Sequence, residues 1–277
     1  MKSHPEPVRA LAAAFVAALS LTLALPVGAA PPGGKDGPAL YKSGMDLLNA
    51  GRYDLAEKAF RASAAAGNRP GASYYNAACA LARAGKKSEA LDTLQKAIEE
   101  GYTDARHMER DDDLEGIQGE KRFTELVDLA EDLSLDAGVE GFMGNFLPHT
   151  ARTAWRGEIP HYEKVAKAHP TLGIAWHNLG YAQLMADRPE AAAESLGKAL
   201  ALGYRRPTTL YNLACAEARS GNTDKAFDHL FAAIDAGFDG ADHMRSDADL
   251  DAIRKDPRFK QAVAKARARS RDADEQD

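Results

Sequence analysis

The sequence predicts an all-α fold built from repeated helical hairpins, and three observations carry that prediction. The segment Tyr75-Asn76-Ala77-Ala78-Cys79-Ala80 returns as Tyr211-Asn212-Leu213-Ala214-Cys215-Ala216, 136 residues later and with no gap. A shorter period of 34 residues runs inside each copy and relates Ala56 to Ala90, Phe60 to Leu94, Ala192 to Ala226 and Leu196 to Leu230. Composition points the same way: 45% of the chain is hydrophobic but only 7% is aromatic, alanine is abundant and β-branched runs are absent. Such a chain packs helices more readily than sheets.

Residues 1–29 read as a secretory signal. Lys2 and Arg9 supply positive charge, Ala10 to Leu25 is apolar apart from Ser20 and Thr22, and small residues follow at Val27, Gly28, Ala29 and Ala30. The apolar stretch falls short of the about 20 residues that a membrane-spanning helix needs. Cleavage is expected near Ala29, because Pro31 disfavours a cut after Ala30. The product would be periplasmic or secreted, with no stable membrane span; the alternative is a segment retained as an anchor. Residues 30–38 are expected to form a flexible linker.

Helical hairpins follow. Leu40 to Gly67, Tyr74 to Gly101, Trp176 to Gly203 and Leu210 to Gly237 each read as two helices. Gly67, Gly101, Gly203 and Gly237 close the second helix, where a left-handed residue is needed. In Trp176-His177-Asn178-Leu179-Gly180-Tyr181 the glycine permits close approach of a neighbouring helix, and Ala192 is small where two helices touch. Pro189 sits at a helix start. Pro170 marks the end of a further, degenerate unit whose second helix would be Ile159 to His169.

This 34-residue helix–turn–helix period resembles the tetratricopeptide repeat (TPR). The second unit of each copy is similar to the terminal, end-of-group type, which carries an appended tail. The matching residues are Asn212 to Ala216, Gly237-Phe238, Asp247, Asp249-Leu250, Ile253 and Asp256-Pro257-Arg258-Phe259. The first copy matches through Asn76 to Ala80, Gly101-Tyr102, Asp111, Asp113-Leu114, Ile117 and Arg122-Phe123, but has Glu120-Lys121 in place of Asp-Pro. The resemblance implies a cap, since a solenoid must close its exposed apolar end. Leu114, Ile117, Phe123 and Val127 are the expected cap core of the first half; Leu250, Ile253, Phe259 and Val263 serve the second.

The expected organisation is therefore a TPR helical-hairpin solenoid of two capped modules, 39–133 and 159–268, born of an internal duplication. Between them, 134–158 reads as a linker containing Gly and Pro. It also carries Phe142, Met143, Phe146, Leu147 and Trp155, which suits packing on one half or docking of a partner. Residues 269–277 are charged and expected to be disordered.

The net charge is −6, and Lys and Arg are spread through the chain apart from a weak basic stretch at Lys265, Arg267, Arg269 and Arg271, which argues against nucleic acid as the main partner. No nucleophile elbow, phosphate-binding loop, zincin motif or paired-cysteine zinc site is present, so the chain is not expected to be an enzyme or to need a cofactor. His107 with Asp111, and His243 with Asp247, are spaced four apart as a metal pair would be. The competing reading, which we adopt, makes those aspartates helix caps and leaves metal ligands unassigned. Cys79 and Cys215 occupy equivalent repeat positions and are expected to be free.

Asn76, Asn178 and Asn212 share one slot on the first helix of their units. The resemblance implies that this slot faces a concave groove, where an amide can hydrogen-bond the backbone of an extended peptide. Tyr41, Tyr75, His177 and Tyr211 would line the same wall, and Arg83 and Arg219 could attract an acidic group. The alternative is that these asparagines bond only a neighbouring helix and the tyrosines are core. The expected function is an exported scaffold for a protein or peptide partner. Rival readings are a self-associating structural protein of the envelope, or an accessory subunit of an envelope enzyme.

Overall fold

Glycine and its substitutes set the hairpin geometry. Gly51, Gly85 and Gly221 turn the chain from a first helix into a second with φ of 71°, 75° and 79°. Asp187 fills the same slot at φ 64°, one of the few L-residues that tolerate it. The computed structural model describes residues 37–135 and 149–274, which lie in one compact unit, Pro31–Asp277. Among the described residues there is no strand.

The first half opens with hairpins α1 (Gly37–Asn49)/α2 (Tyr53–Ala65) and α3 (Pro70–Arg83)/α4 (Lys87–Glu99). A short helix α5 (Ala105–Arg110), a 3-10 turn (Asp112–Leu114), α6 (Glu115–Gln118) and α7 (Lys121–Asp132) form its cap. Next come α8 (His149–Ala168) and hairpins α9 (Gly173–Met185)/α10 (Pro189–Ala201) and α11 (Arg206–Arg219)/α12 (Thr223–Ala236). The second cap is α13 (Ala241–Ser246), a 3-10 turn (Ala248–Leu250) and α14 (Pro257–Asp274). This is the helical-hairpin solenoid that the sequence predicts, with each hairpin packed on the next.

Close approach within a hairpin depends on a first-helix glycine. A Cβ on Gly44 would lie 2.6 Å from the Phe60 ring, and one on Gly180 would lie 2.6 Å from Leu196 Cγ. The two positions are related by the 136-residue offset. Second helices bury the large groups: Phe60, Leu94, Leu196, Leu230 and Phe227 are all nearly inaccessible. Each contributes on the order of 2–3 kcal/mol of hydrophobic stabilisation. Both caps bury the residues expected of them: Leu114, Ile117, Phe123 and Val127, and Leu250, Ile253 and Phe259, with Val263 partly covered.

Three segments differ from expectation. Gly37 and Pro38, assigned to the flexible linker, open α1, where the buried Gly37 carbonyl accepts from the Ser63 hydroxyl at 2.9 Å. Residues 149–158, assigned to the linker, are helical and continue into the second half as α8. The physical cause is Trp155, which is buried and meets Tyr181 edge-to-face at 5.6 Å, while Ile159, Tyr162 and Val165 continue the same apolar stripe. The last helix runs to Asp274, beyond Arg269 where order was expected to end; buried Ala262 and Ala266 seat it. Phe142, Met143, Phe146 and Leu147, and the signal segment 1–29, lie outside the described residues.

The first cap is not a free end. Leu126, Val127, Ala130 and Leu133 of its last helix share one buried core with Trp155, Ile159 and Tyr162 of α8 and with Ile174 and Leu179 of α9. That core runs from Tyr75 to Tyr204. Tyr162 donates to the Ser134 carbonyl at 3.4 Å, and Arg205 donates to the Glu100 carbonyl at 3.2 Å across 105 residues of sequence.

Candidate functional site

The nine residues expected to line the groove separate into three groups. The first group faces solvent in part. Tyr41 on α1 and Asn76 on α3 are half-buried, and the Asn76 amide donates to the Tyr41 hydroxyl at 2.8 Å and to the Ala72 carbonyl at 3.0 Å. Asn212 on α11 makes the equivalent bond to His177 Nε2 at 3.2 Å. In both pairs the amide nitrogen is used, and the side-chain oxygen has no partner among the described residues. Arg83 is exposed, pairs with Asp113 at 2.7 Å and lies over the Tyr53 ring.

The second group is spent on the junction between halves. Asn178 is buried, and its amide donates to the Leu133 carbonyl at 2.7 Å, satisfying the end of α7. It shares its slot with Asn76 and Asn212 in sequence, but the cap above it takes its donor. His177 is buried beside Tyr204, and its Nδ1 has no partner among the described residues. Burial, reinforced by the nearby Arg205, holds its pKa down to about 4, so the ring is neutral at physiological pH.

The third group forms two copies of one polar cluster. Tyr75 is buried, stacks on Tyr102 at 3.9 Å and donates to Asp111 Oδ2 at 2.6 Å. Tyr211 is buried, stacks on Phe238 at 4.2 Å and donates to Asp247 Oδ2 at 2.6 Å. Cys79 and Cys215 lie 3.7 Å from the same carboxylates. Both cysteines are buried free thiols. Burial, followed by the neighbouring carboxylates, raises both thiol pKa values, so they stay protonated. Both tyrosines are raised as well, by burial first and then by the adjacent cysteine and aspartate.

Asp111 and Asp247 also accept from the backbone N–H two residues on, at 2.9 and 3.0 Å, which makes them the caps of the 3-10 turns. His107 and His243 approach the same carboxylates at 3.5 and 3.6 Å from their exposed side. Ligand atoms of Cys215, Asp247 and Asp249 come within 4.8 Å of one another, the nearest approach to a metal set among the described residues. Their charge is already answered: Asp247 accepts from Tyr211, and Asp249 accepts from Arg219 at 3.0 Å. Arg219 is mostly covered and also bonds the Leu184 carbonyl and Asp187. A cation would have to displace the Tyr211 phenol and the Arg219 guanidinium to enter this cluster.

The hub role of Asp111 and Asp247 is the part of this arrangement that sequence reasoning did not assign. Its signal was available: each aspartate follows its tyrosine by 36 residues in both copies, and the duplication preserved that pair together with the cysteine.

The family model for the A/B hydrolase-like N-terminal domain matches residues 44–138. No curated protein matches the chain. Among solved structures, the chain is similar to the TPR2AB-domain:pHSP90 complex of yeast Sti1, at 17% identity and a TM-score of 0.30, covering 84% of this chain and 99% of that one. The fold assignment rests on the helix pairs themselves.

Proposed function

We propose that this tetratricopeptide-repeat protein is an exported, non-catalytic scaffold that binds a protein or peptide partner on the first-helix surface of its repeats. The observation that carries this reading is the state of Asn76 and Asn212. Each is held in place through its amide nitrogen, is half-exposed, and keeps a side-chain oxygen with no partner among the described residues. Such an oxygen can accept a backbone N–H from an extended peptide. Tyr41 and the exposed Arg83 supply a flat contact and a cation on the first half. His177 holds Asn212 through its Nε2, while Tyr75, Asn178, Tyr211 and Arg219 are engaged with the caps and the neighbouring helices.

Crosslinked co-purification from the cell envelope tests the reading. The parent chain is expected to capture a defined partner, and Asn76→Ala/Asn212→Ala to lose it while melting within a few degrees of the parent. Equal capture by both chains would overturn the site. Sequencing the N-terminus of the mature protein tests export; the expected first residue is Ala30.

The match at residues 44–138 favours one second reading, in which the scaffold accompanies a hydrolase. The described residues include no strand from which a hydrolase sheet could be built. In that reading the catalytic chain is the captured partner. Ester-hydrolase activity in the captured complex, and none in the purified chain, is the outcome that reading requires.

A further inference from the structure

The two caps are copies of one structure with opposite electrostatic character. Over residues 104–133 the first cap carries eleven acidic and four basic side chains; over the matching 240–269 the second carries five acidic and eight basic. Their folds stay alike, with the same short helix, 3-10 turn and long helix, and with Phe123 and Phe259 buried at matching positions.

The divergence concentrates on one face. An open cleft of about 400 Å³ between α13 and α14 is lined by Phe259, Val263 and Ala264, with Arg245, Lys260 and Arg267 at its rim. The 136-residue offset takes those three rim cations to Glu109, Thr124 and Glu131, and takes Ala264 to Asp128. All four first-cap residues are exposed, and Glu109, Asp128 and Glu131 make no ion pair among the described residues. On the basic side Lys260 is likewise unpaired, while Arg245 and Arg267 share the single Asp242, at 2.6 and 3.4 Å. Thr124, Asp128 and Glu131 recur along α7 at helical spacing, as Lys260, Ala264 and Arg267 do along α14.

We propose that the basic cap of one chain docks on the acidic cap of a second copy, so that this protein associates with itself through its two caps. Because both faces descend from one surface, α14 and α7 can lie side by side and antiparallel about a local pseudo-twofold. Glu131 then opposes Lys260, and Asp128 projects over the small Ala264 toward the arginines. Each chain offers one face of each sign, so two chains can satisfy both pairs in a closed twofold dimer. The contact is a charged rim around a small apolar floor. It is therefore strongest at low salt and weakens as salt screens the rim. This surface is separate from the Asn76 and Asn212 sites, so either proposal can fail without the other.

Sedimentation velocity of the full chain over a concentration series, at low and at high salt, tests it. The parent is expected to dimerise at low salt and to dissociate at high salt. Lys260→Glu/Arg267→Glu makes both docking faces acidic, and Asp128→Lys/Glu131→Lys makes both docking faces basic. Each variant alone is expected to weaken association by about tenfold or more. An equimolar mixture of the two is expected to restore it, since every acidic face then meets a basic one. That rescue separates a docking role from loss of folding. A parent that stays monomeric at low salt, variants that associate like the parent, or a mixture that stays monomeric would each overturn the proposal.

Discussion

The two halves keep the same buried polar cluster and differ around it. The Tyr75–Asp111 and Tyr211–Asp247 bonds have the same 2.6 Å length, and each cysteine sits 3.7 Å from its carboxylate. Around those hubs, Tyr102 stands where the second half has Phe238, and Tyr41 where it has His177. Arg83 is exposed and pairs with Asp113, whereas Arg219 is mostly covered and, besides the equivalent Asp249, bonds Leu184 and Asp187. Buried Leu133 corresponds to exposed Arg269, because α8 and α9 cover the first cap and no described element covers the second. A buried donor or acceptor that loses its partner costs its full desolvation, so the hubs resist change. Positions at the surface or at a junction answer to whatever adjoins each copy, and they have diverged.

The comparison can be broken most severely at the paired glycines. Gly180→Leu is expected to destabilise the fold by about 3 kcal/mol through overpacking against Leu196, measured by urea unfolding. Gly44→Leu drives into the Phe60 ring in the same way. Equal losses would mean that the terminal hairpin unfolds with the rest; a smaller loss at Gly44 would mean that it frays by itself.

The next effect belongs to the second half alone. Burial holds the His177 pKa at about 4, against 6.5 for an ordinary histidine. As pH falls, the unfolded chain takes up this proton first. The stability it contributes is therefore complete above about pH 6.5 and is lost progressively toward pH 4, by up to about 3 kcal/mol. His177→Tyr installs the residue of the first half and should flatten that part of the stability–pH curve. An unchanged slope would show that His177 is not the group responsible.

Removing the hub donors should cost less. Tyr75→Phe and Tyr211→Phe are each expected to lower stability by about 1–2 kcal/mol, because a largely buried carboxylate loses its phenol. Similar values in calorimetry would show that the clusters are equivalent in energy as well as geometry. Tyr102→Phe, which gives the first half the Phe238 stack, should change stability by less than about 0.5 kcal/mol, since the ring contact is kept. A larger loss would reveal a role for its hydroxyl that the second half lacks.

Much of the fold was legible because repeats advertise nearest neighbours. The glycine turns, the Ala56 and Ala192 contacts and the cap cores recur at fixed periods, and the structure buries them accordingly. The candidate site was less legible. Asn76, Asn178 and Asn212 look alike in sequence, yet Asn178 is buried against Leu133 while the other two remain half-exposed. Their own helices are similar; what lies above each one differs. Trp155 suits packing on one half of the molecule, but its partner Tyr181 lies in a different helix and no local pattern names it.

By itself the sequence determined the helices, their pairing into hairpins, the duplication and the opposite charge of the two caps. Each follows from local periodicity or from side-chain type. Tertiary structure alone decided that α8 and α9 cover the first cap, that the Arg205 guanidinium reaches the Glu100 carbonyl, and which asparagine of the shared slot is spent inside. Those contacts join segments with no common period. They arise because apolar surface left at the end of one half is removed from water by whatever part of the chain can reach it.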